Sequence, residues 1–160
     1  MPQVYSSATK VAPAAGDYAD GDIISESATV GTAWEFPHMT QRAGQAGRLA
    51  RAMVTTDSDA PDGVMRLHLF SAAPSAATEV DDNVAFTVAD ADIALYLGFI
   101  AFTAGIDVGG FRYYPSAFNL GFDYFCAANS LFGILVWAEA EAAEAAGMSV
   151  RVQLFGELIN

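Results

Sequence analysis

The sequence predicts an all-β fold, an antiparallel β-sandwich with one or two short helices. Many short segments are apolar, aromatic or alternating in the manner of strands, and turn residues separate them. Helical composition is confined to two short stretches. A jelly roll, in which two sheets face each other, is compatible with this pattern. The 160 residues suffice for one domain with a sizeable core.

Two segments, residues 48–56 and 64–70, show the clearest alternation between apolar and polar side chains. In the second segment, Arg66 and His68 separate the apolar residues and are expected on the polar face of the strand. The connection over residues 57–63 contains proline and glycine, which favour turns. We therefore predict that the two strands pair with each other as a β-hairpin.

The remaining elements are predicted from shorter signals. Apolar or aromatic composition predicts strands over residues 22–25, 32–36, 85–88, 99–102, 111–114, 117–120, 121–126, 132–138 and 150–154. Asp90 is expected to cap a brief helix over residues 91–96. A second helix is expected over residues 139–146, which are rich in alanine and glutamate, with Gly147 ending it.

Residues 1–21 contain small and polar residues, prolines and turn-prone pairs of glycine and aspartate. This composition predicts an extended arm that lies on the domain or on a neighbouring molecule, so that residues 22–160 form the β-sandwich domain. Val4, Tyr5 and Val11 are too few apolar residues to fold alone, and we expect the arm to add little to monomer stability. Val4 and Tyr5 are therefore candidates for contacts with a partner.

The composition favours assembly over a free monomer. Hydrophobic residues make up 53% of the chain and charged residues 16%, so partners are expected to cover some apolar surface. The net charge is −12, and the seven Lys and Arg residues are scattered, which argues against direct binding of nucleic acid or an anionic membrane. The most apolar stretch, residues 94–105, is too short to span a bilayer.

No motif marks a catalytic, cofactor-binding or metal-binding residue. Cys126 is the single cysteine and is expected to be a small buried thiol. His38 and His68 belong to no paired ligand motif, and both are expected at the surface. The acidic turn over residues 57–63 lacks the ligand spacing of a calcium loop. We therefore predict a protein that is not an enzyme and has no cofactor or metal.

Aromatic residues are the remaining candidates for a binding surface, although most of them are expected in the core. Tyr113 and Tyr114 are adjacent on a predicted strand, so their side chains face opposite sides and at least one is expected to be exposed. Exposed aromatic side chains commonly anchor protein interfaces. Together with Val4 and Tyr5, these tyrosines are the candidate interface residues.

One block of the sequence carries a family resemblance. It runs through Leu67-His-Leu-Phe70, Pro74, Asp82-Asn83, Ala85-Phe86, Asp90, Asp92 and Gly98. Over roughly residues 48–156 the chain resembles small structural proteins encoded among the virion genes of tailed bacteriophages and gene transfer agents. The closing pattern is similar to the last two strands of those proteins: Leu131-Phe-Gly-Ile-Leu-Val-Trp137, then Val150-Arg-Val-Gln-Leu154.

This resemblance implies a jelly-roll virion protein that decorates the head or forms the base of a head spike. It implies binding to the major capsid protein or other virion proteins, and a location in the virion after synthesis in the host cytoplasm. Because capsid lattices offer threefold and fivefold axes, we expect a homo-oligomer, a trimer or a pentamer. The alternative is a carbohydrate-binding or host-adhesion β-sandwich that uses exposed aromatic residues.

Overall fold

The computed structural model describes residues 1–13, 17–58, 61–117, 119–141 and 147–159. In chain order the strands are β1 (Gln3–Val11), β2 (Ile23–Ile24), β3 (Trp34–Phe36), β4 (Ala46–Thr56), β5 (Met65–Phe70), β6 (Tyr96–Ala101), β7 (Ile106–Asp107), β8 (Arg112–Pro115), β9 (Phe122–Phe125), β10 (Leu131–Trp137) and β11 (Ser149–Leu158). A 3₁₀ helix, Asp90–Leu95, precedes β6. No helix in this part of the chain has the length and apolar character that a membrane crossing requires.

Two antiparallel sheets face each other. The first has the order β1-β11-β4-β8-β7, and β9 pairs with the other half of the β4 edge that β8 occupies. The second has the order β2-β10-β5-β6, and β3 lies beside β10 on the same edge as β2. The first strand thus pairs with the last, β2 and β3 with β10, β4 with β8 and β9, and β5 with β6. These nested pairs form a jelly roll, and the predicted fold class is confirmed.

The predicted hairpin of β4 and β5 is wrong. β4 lies in the first sheet and pairs with β11, β8 and β9, whereas β5 lies in the second sheet between β10 and β6. The connection between them crosses from one sheet to the other. Val54 of β4 and Leu67 of β5 belong to the same buried cluster, so the two strands meet across the core. Alternation shows that a strand buries one face, but it does not show which strand lies beside it.

The predicted arm is extended over Gln3–Val11, where it forms the edge strand β1. It pairs with β11 along its whole length, from Gln3 opposite Glu157 to Val11 opposite Ser149. The Val4 and Ala8 side chains pack against the core, and Ser6 is buried. These contacts give the segment a larger part in the sandwich than its few apolar residues predict. The division of the chain at residue 21 stays a prediction.

A long connection covers the outer face of the second sheet. Phe70, Ile134 and Val136 point away from the main core, and they pack with Phe86 and Val88 of the segment between β5 and β6. β10 is therefore buried on both faces, which explains why its sequence is almost continuously apolar. Outside Ala85, which forms a single bridge with Asp22, the predicted strand over residues 85–88 is absent.

Hydrogen bonds that Asp92 accepts hold this connection in place. Its Oδ2 atom accepts from the Ser75 backbone N–H at 2.9 Å, the Ser75 hydroxyl at 2.8 Å and the Thr78 hydroxyl at 2.6 Å. The predicted cap at Asp90 is wrong, because Ala89 occupies the N-cap position and no side chain caps the helix. The acidic residue that matters here is Asp92, and it bonds a distant turn and not its own helix.

Two further predictions concern the later part of the chain. Residues 117, 119 and 120 are not in a strand, and residue 118 lies outside the described residues. Most of the predicted helix over residues 139–146 also lies outside them. Glu141 is described, and it pairs with Tyr18 in an isolated β-bridge.

Candidate interaction face

The four candidate interface residues divide between the two sides of the first sheet. Tyr5 and Tyr113 point outwards, and Tyr5 is 47% exposed. Val4 points towards the core, and Tyr114 is completely buried there, with its hydroxyl donating to the Pro61 carbonyl at 2.6 Å. Tyr114 is therefore not available to a partner in this structure. The role of the other three residues in an interface stays a prediction.

The outward side chains of β1, β11, β4 and β8 form one continuous surface, which we call the outer face. Strand register aligns them in rows across the sheet. One row contains Thr9, Arg151, Thr55 and Tyr113. The next row contains Ser7, Gln153, Met53 and Pro115.

The centre of the outer face is an aromatic and arginine cluster. The rings of Tyr5 and Phe155 lie 5.0 Å apart, and the Arg51 guanidinium lies 4.6 Å from the centre of the Phe155 ring. Arg151 and Gln153 donate to the Tyr5 hydroxyl at 3.0 and 2.9 Å. Tyrosine, phenylalanine, methionine and arginine are the residues that protein interfaces favour. The outer face thus has the composition of an interface core on a rigid sheet.

Sequence reasoning found Tyr5 but missed Arg51, Phe155 and Arg151, which surround it. The alternation of residues 150–154 already placed Arg151 and Gln153 on one side of the last strand. The missing information was the strand order, because β1 and β4 lie on either side of β11 although their sequences are far from it.

A groove of about 1010 Å³ lies between β1 and the edge of the second sheet. The two groups of opposite charge at its centre are engaged with each other. Lys10 forms an ion pair with Glu26 and donates to the Thr32 hydroxyl at 3.0 Å, and the Ser25 hydroxyl donates to Glu26 at 2.8 Å. The ion pair of Lys10 and Glu26, which we call the clasp, joins β1 to the segment that follows β2 of the other sheet.

Both charged groups of the clasp have shifted pKa values. Burial raises the pKa of Glu26, but hydrogen bonds from Lys10, Thr32 and Ser25 outweigh it and bring the value to about 2. Burial lowers the pKa of Lys10 more strongly than Glu26 raises it. The Lys10 side chain is 9% exposed and that of Glu26 33%, so loss of either partner leaves a largely desolvated charge.

Replacement of Glu26 by glutamine should make the stability of the fold depend less on pH at acidic pH. Because the folded-state pKa is about 2 and the ordinary value is 4.5, the carboxylate stabilises the fold above about pH 4.5 and loses this effect as pH falls to about 2. Urea midpoints should therefore be lower for Glu26→Gln at neutral pH and converge with the wild type near pH 2. Glu139→Gln removes an exposed carboxylate and is the control for loss of surface charge. A deficit that is constant over this range would contradict the assignment.

His68 is not the surface residue that its strand position predicts. Its ring lies 4.2 Å from that of Phe86 and 5.6 Å from that of Phe99, and its Nδ1 atom is 3.0 Å from the Tyr96 hydroxyl. Burial, and then the charge of Arg66, lower the pKa of His68 to about 4. The imidazole is therefore neutral at physiological pH and packs as an aromatic ring. His38 is exposed, as predicted.

The other reactive groups have structural surroundings. Cys126 is completely buried, as predicted, and burial raises the pKa of its thiol to about 11. Asp57 accepts the Ser149 backbone N–H at 2.7 Å, which fixes the start of the acidic turn to β11. Asp59 lies outside the described residues. Among those that are described, no His, Cys, Asp and Glu residues group as metal ligands would.

Comparisons with known proteins show only distant similarity. No protein-family model matches the chain, and no curated protein shows significant similarity to it. The chain is similar to a protein in the cyanophage Pam1 capsid asymmetric unit, at 16% identity and a TM-score of 0.37, over 98% of this chain and 85% of the other. A protein of the Israeli acute paralysis virus full particle, heated to 63 degrees, gives 11% identity and a TM-score of 0.32.

That second similarity covers 99% of this chain and 72% of the other. A third structure, from Tomato Aspermy Virus, has 8% identity and a TM-score of 0.31 over 99% of this chain and 79% of the other. At these values the similarities identify no family.

Proposed function

We propose that this protein is a non-enzymatic virion structural protein that decorates the capsid or forms the base of a head spike. The sequence block from Leu67 to Gly98 supports this proposal, because it resembles virion proteins of tailed phages and gene transfer agents. The jelly roll supports it further, since this fold is common among viral structural proteins. A fold alone does not determine function, so the proposal also needs support from the residues at the surface.

The outer face is the observation that carries the proposal. The first sheet presents Tyr5, Phe155, Met53 and two arginines to solvent, whereas Lys10 and Glu26 of the groove pair with each other. Such a surface suits binding. The proposed partners are the major capsid protein or other virion proteins, and the proposed assembly is a trimer or a pentamer on the particle.

Attachment to shells tests this function. We expect the protein to co-sediment with shells that are assembled from the major capsid protein of the same virion and lack this protein. Arg51→Glu should weaken attachment by about tenfold or more, as loss of a central interface arginine does. Arg66→Glu is a matched control, because Arg66 lies 5.6 Å from the Phe99 ring on the other sheet. Absence of co-sedimentation at any salt concentration, or equal loss in both variants, would contradict the proposal.

A carbohydrate-binding role is the second candidate, and the exposed rings of Phe111 and Phe125 favour it. They are 41% and 45% exposed, and aromatic rings of this kind stack on sugars. A glycan array separates the two functions. Binding of a defined glycan that Phe125→Ala abolishes, without attachment to shells, would favour the carbohydrate-binding role.

A further inference from the structure

Positive charge is concentrated on the first sheet. β1, β4, β8 and β11 together carry five of the seven Lys and Arg residues and one of the 19 Asp and Glu residues, and β7 and β9 of the same sheet add Asp107 and Asp123. Two of the five cations are paired, Lys10 with Glu26 and Arg48 with Asp123. Arg51 and Arg151 lie on the outer face, and neither forms an ion pair with a carboxylate in the part of the chain that the structure describes. In a chain with a net charge of −12, this face is a basic surface on an acidic protein.

Negative charge is concentrated on the opposite side of the sandwich. Residues 17–22 and 79–92, which we call the acidic cover, contain eight Asp and Glu residues and no Lys or Arg. The two segments are joined by the bridge between Asp22 and Ala85, and the second packs on the outer side of the second sheet. Asp17, Asp20 and Asp90 are exposed.

We infer that the outer face of one molecule binds the acidic cover of a second copy of this chain, in a head-to-tail contact. The inference rests on the proposed function as an assembling virion protein, and it adds a second copy of this chain to the partners proposed for the outer face. Two copies that met through their outer faces would bring Arg51 and Arg151 of both molecules into one interface, which like-charge repulsion disfavours. A contact between opposite sides of the sandwich pairs unlike charges.

The geometry of such a contact is heterologous, so each molecule uses one surface to bind and presents the other to the next copy. Repetition of this contact closes a ring only when the rotation between copies permits it, and otherwise extends an open filament. A trimer or a pentamer requires closure, so a filament is the other assembly that this contact can build.

The size of the outer face is consistent with a specific contact. With strands about 4.8 Å apart and residues about 3.3 Å apart, nine residues in each of three strands and the 4 residues of β8 cover roughly 500 Å². A standard interface buries about 800 Å² on each partner, so flanking groups must contribute. Ile106 and Phe111, which are exposed beside the row that contains Tyr113, supply such area. Tyr5 and Phe155 supply apolar contact area. Arg51 and Arg151 orient the two copies and make the affinity depend on salt concentration.

Sedimentation velocity of the full chain tests the inference. We expect self-association at about 50 mM salt and at least a tenfold weaker association at about 500 mM, where charges are screened within a few ångströms. A face variant, Arg51→Glu with Arg151→Glu, should be monomeric at the same concentration. A cover variant, Asp20→Lys with Asp90→Lys, should also be monomeric. Arg42→Glu, a charge reversal in the exposed loop before β4, should associate like the wild type. Melting curves confirm that each variant is folded.

Charge exchange makes the test specific for a second copy. In an equimolar mixture of the face variant and the cover variant, a contact between unlike variants again joins a basic and an acidic surface, so association should return. A chain that carries all four substitutions should associate by itself for the same reason. A ring with an odd number of subunits cannot alternate the two variants, so the mixture should form open assemblies or even-numbered rings. If the face variant is monomeric but the cover variant is not, the acidic partner is not this cover and the inference is overturned.

A wild-type chain that is strictly monomeric at low salt also overturns the inference. The proposed function is tested separately by the co-sedimentation of shells. A monomeric chain that still attaches to shells would refute head-to-tail binding while supporting the virion role. An oligomer that never attaches to shells would support head-to-tail binding and contradict the virion role.

Discussion

Deletion of residues 1–11 should lower the melting temperature by roughly 10–15 °C, because it removes an edge strand with a buried inner face. β1 pairs with β11 over nine residues, and its Val4 and Ala8 side chains pack against the core. Lys10 also forms the ion pair with Glu26, which follows β2 of the other sheet. We expect the total loss to be about 3–5 kcal/mol, similar to that for truncation of a large buried side chain. Thermal unfolding followed by circular dichroism measures it.

A peptide of residues 1–13 provides the control for this deletion. An extended peptide can add to an open sheet edge through main-chain hydrogen bonds, so an excess of it should restore part of the lost stability. A peptide of the same composition in scrambled order should not. An unchanged melting temperature in the deletion variant would mean that residues 1–11 form the dispensable arm that their composition indicates.

The fold class could be predicted from the sequence because it depends on local properties. The alternation in β4, β5 and β11 shows that each strand has one buried face, and turn residues mark where strands end. The pairing of β4 could not be predicted in the same way. Proline and glycine over residues 57–63 are as compatible with a crossing between sheets as with a hairpin. In a jelly roll of this strand order β4 and β5 belong to opposite sheets, so the predicted hairpin was incompatible with the predicted fold.

The N-terminal strand shows why composition alone underestimates an edge strand. Ser6 and Ala8 are small, and neither signals burial in the sequence. They point inwards because β11 offers a long unpaired edge, and backbone pairing with that edge sets the alternation. The partner that orders β1 is thus the other end of the same chain, which no local pattern indicates.

The candidate site was predictable only in part for a related reason. Because Tyr113 and Tyr114 are adjacent on one strand, the sequence predicts that they face opposite sides of the sheet. Only the strand order determines that Tyr114 is the one that faces the core. His68 alternates with leucines as a solvent-facing residue does, but the segment between β5 and β6 places Phe86 over it. Long-range packing of this kind follows from topology, and the sequence pattern of the strand itself does not predict it.

Replacement of Trp137 by alanine should destabilise the protein by about 3–5 kcal/mol, because the indole is completely buried between the sheets. The Tyr114 ring lies 6.3 Å from it in an edge-on arrangement and would border the resulting cavity. Trp34→Ala should cost a similar amount, since Trp34 is also buried in the main core. Urea unfolding with an unchanged dependence on denaturant would give both values.

Phenylalanine at the same two positions should separate packing from hydrogen bonding. The Trp34 Nε1–H donates to the Ile24 carbonyl at 3.2 Å, whereas the buried Trp137 Nε1–H has no hydrogen-bond partner among the described residues. Both substitutions remove similar volume, but Trp34→Phe also removes a hydrogen bond worth about 1 kcal/mol. Trp34→Phe should therefore cost about 1 kcal/mol more than Trp137→Phe and melt about 2–4 °C lower. Equal losses would show that the bond to β2 contributes nothing, and that packing alone holds both indoles.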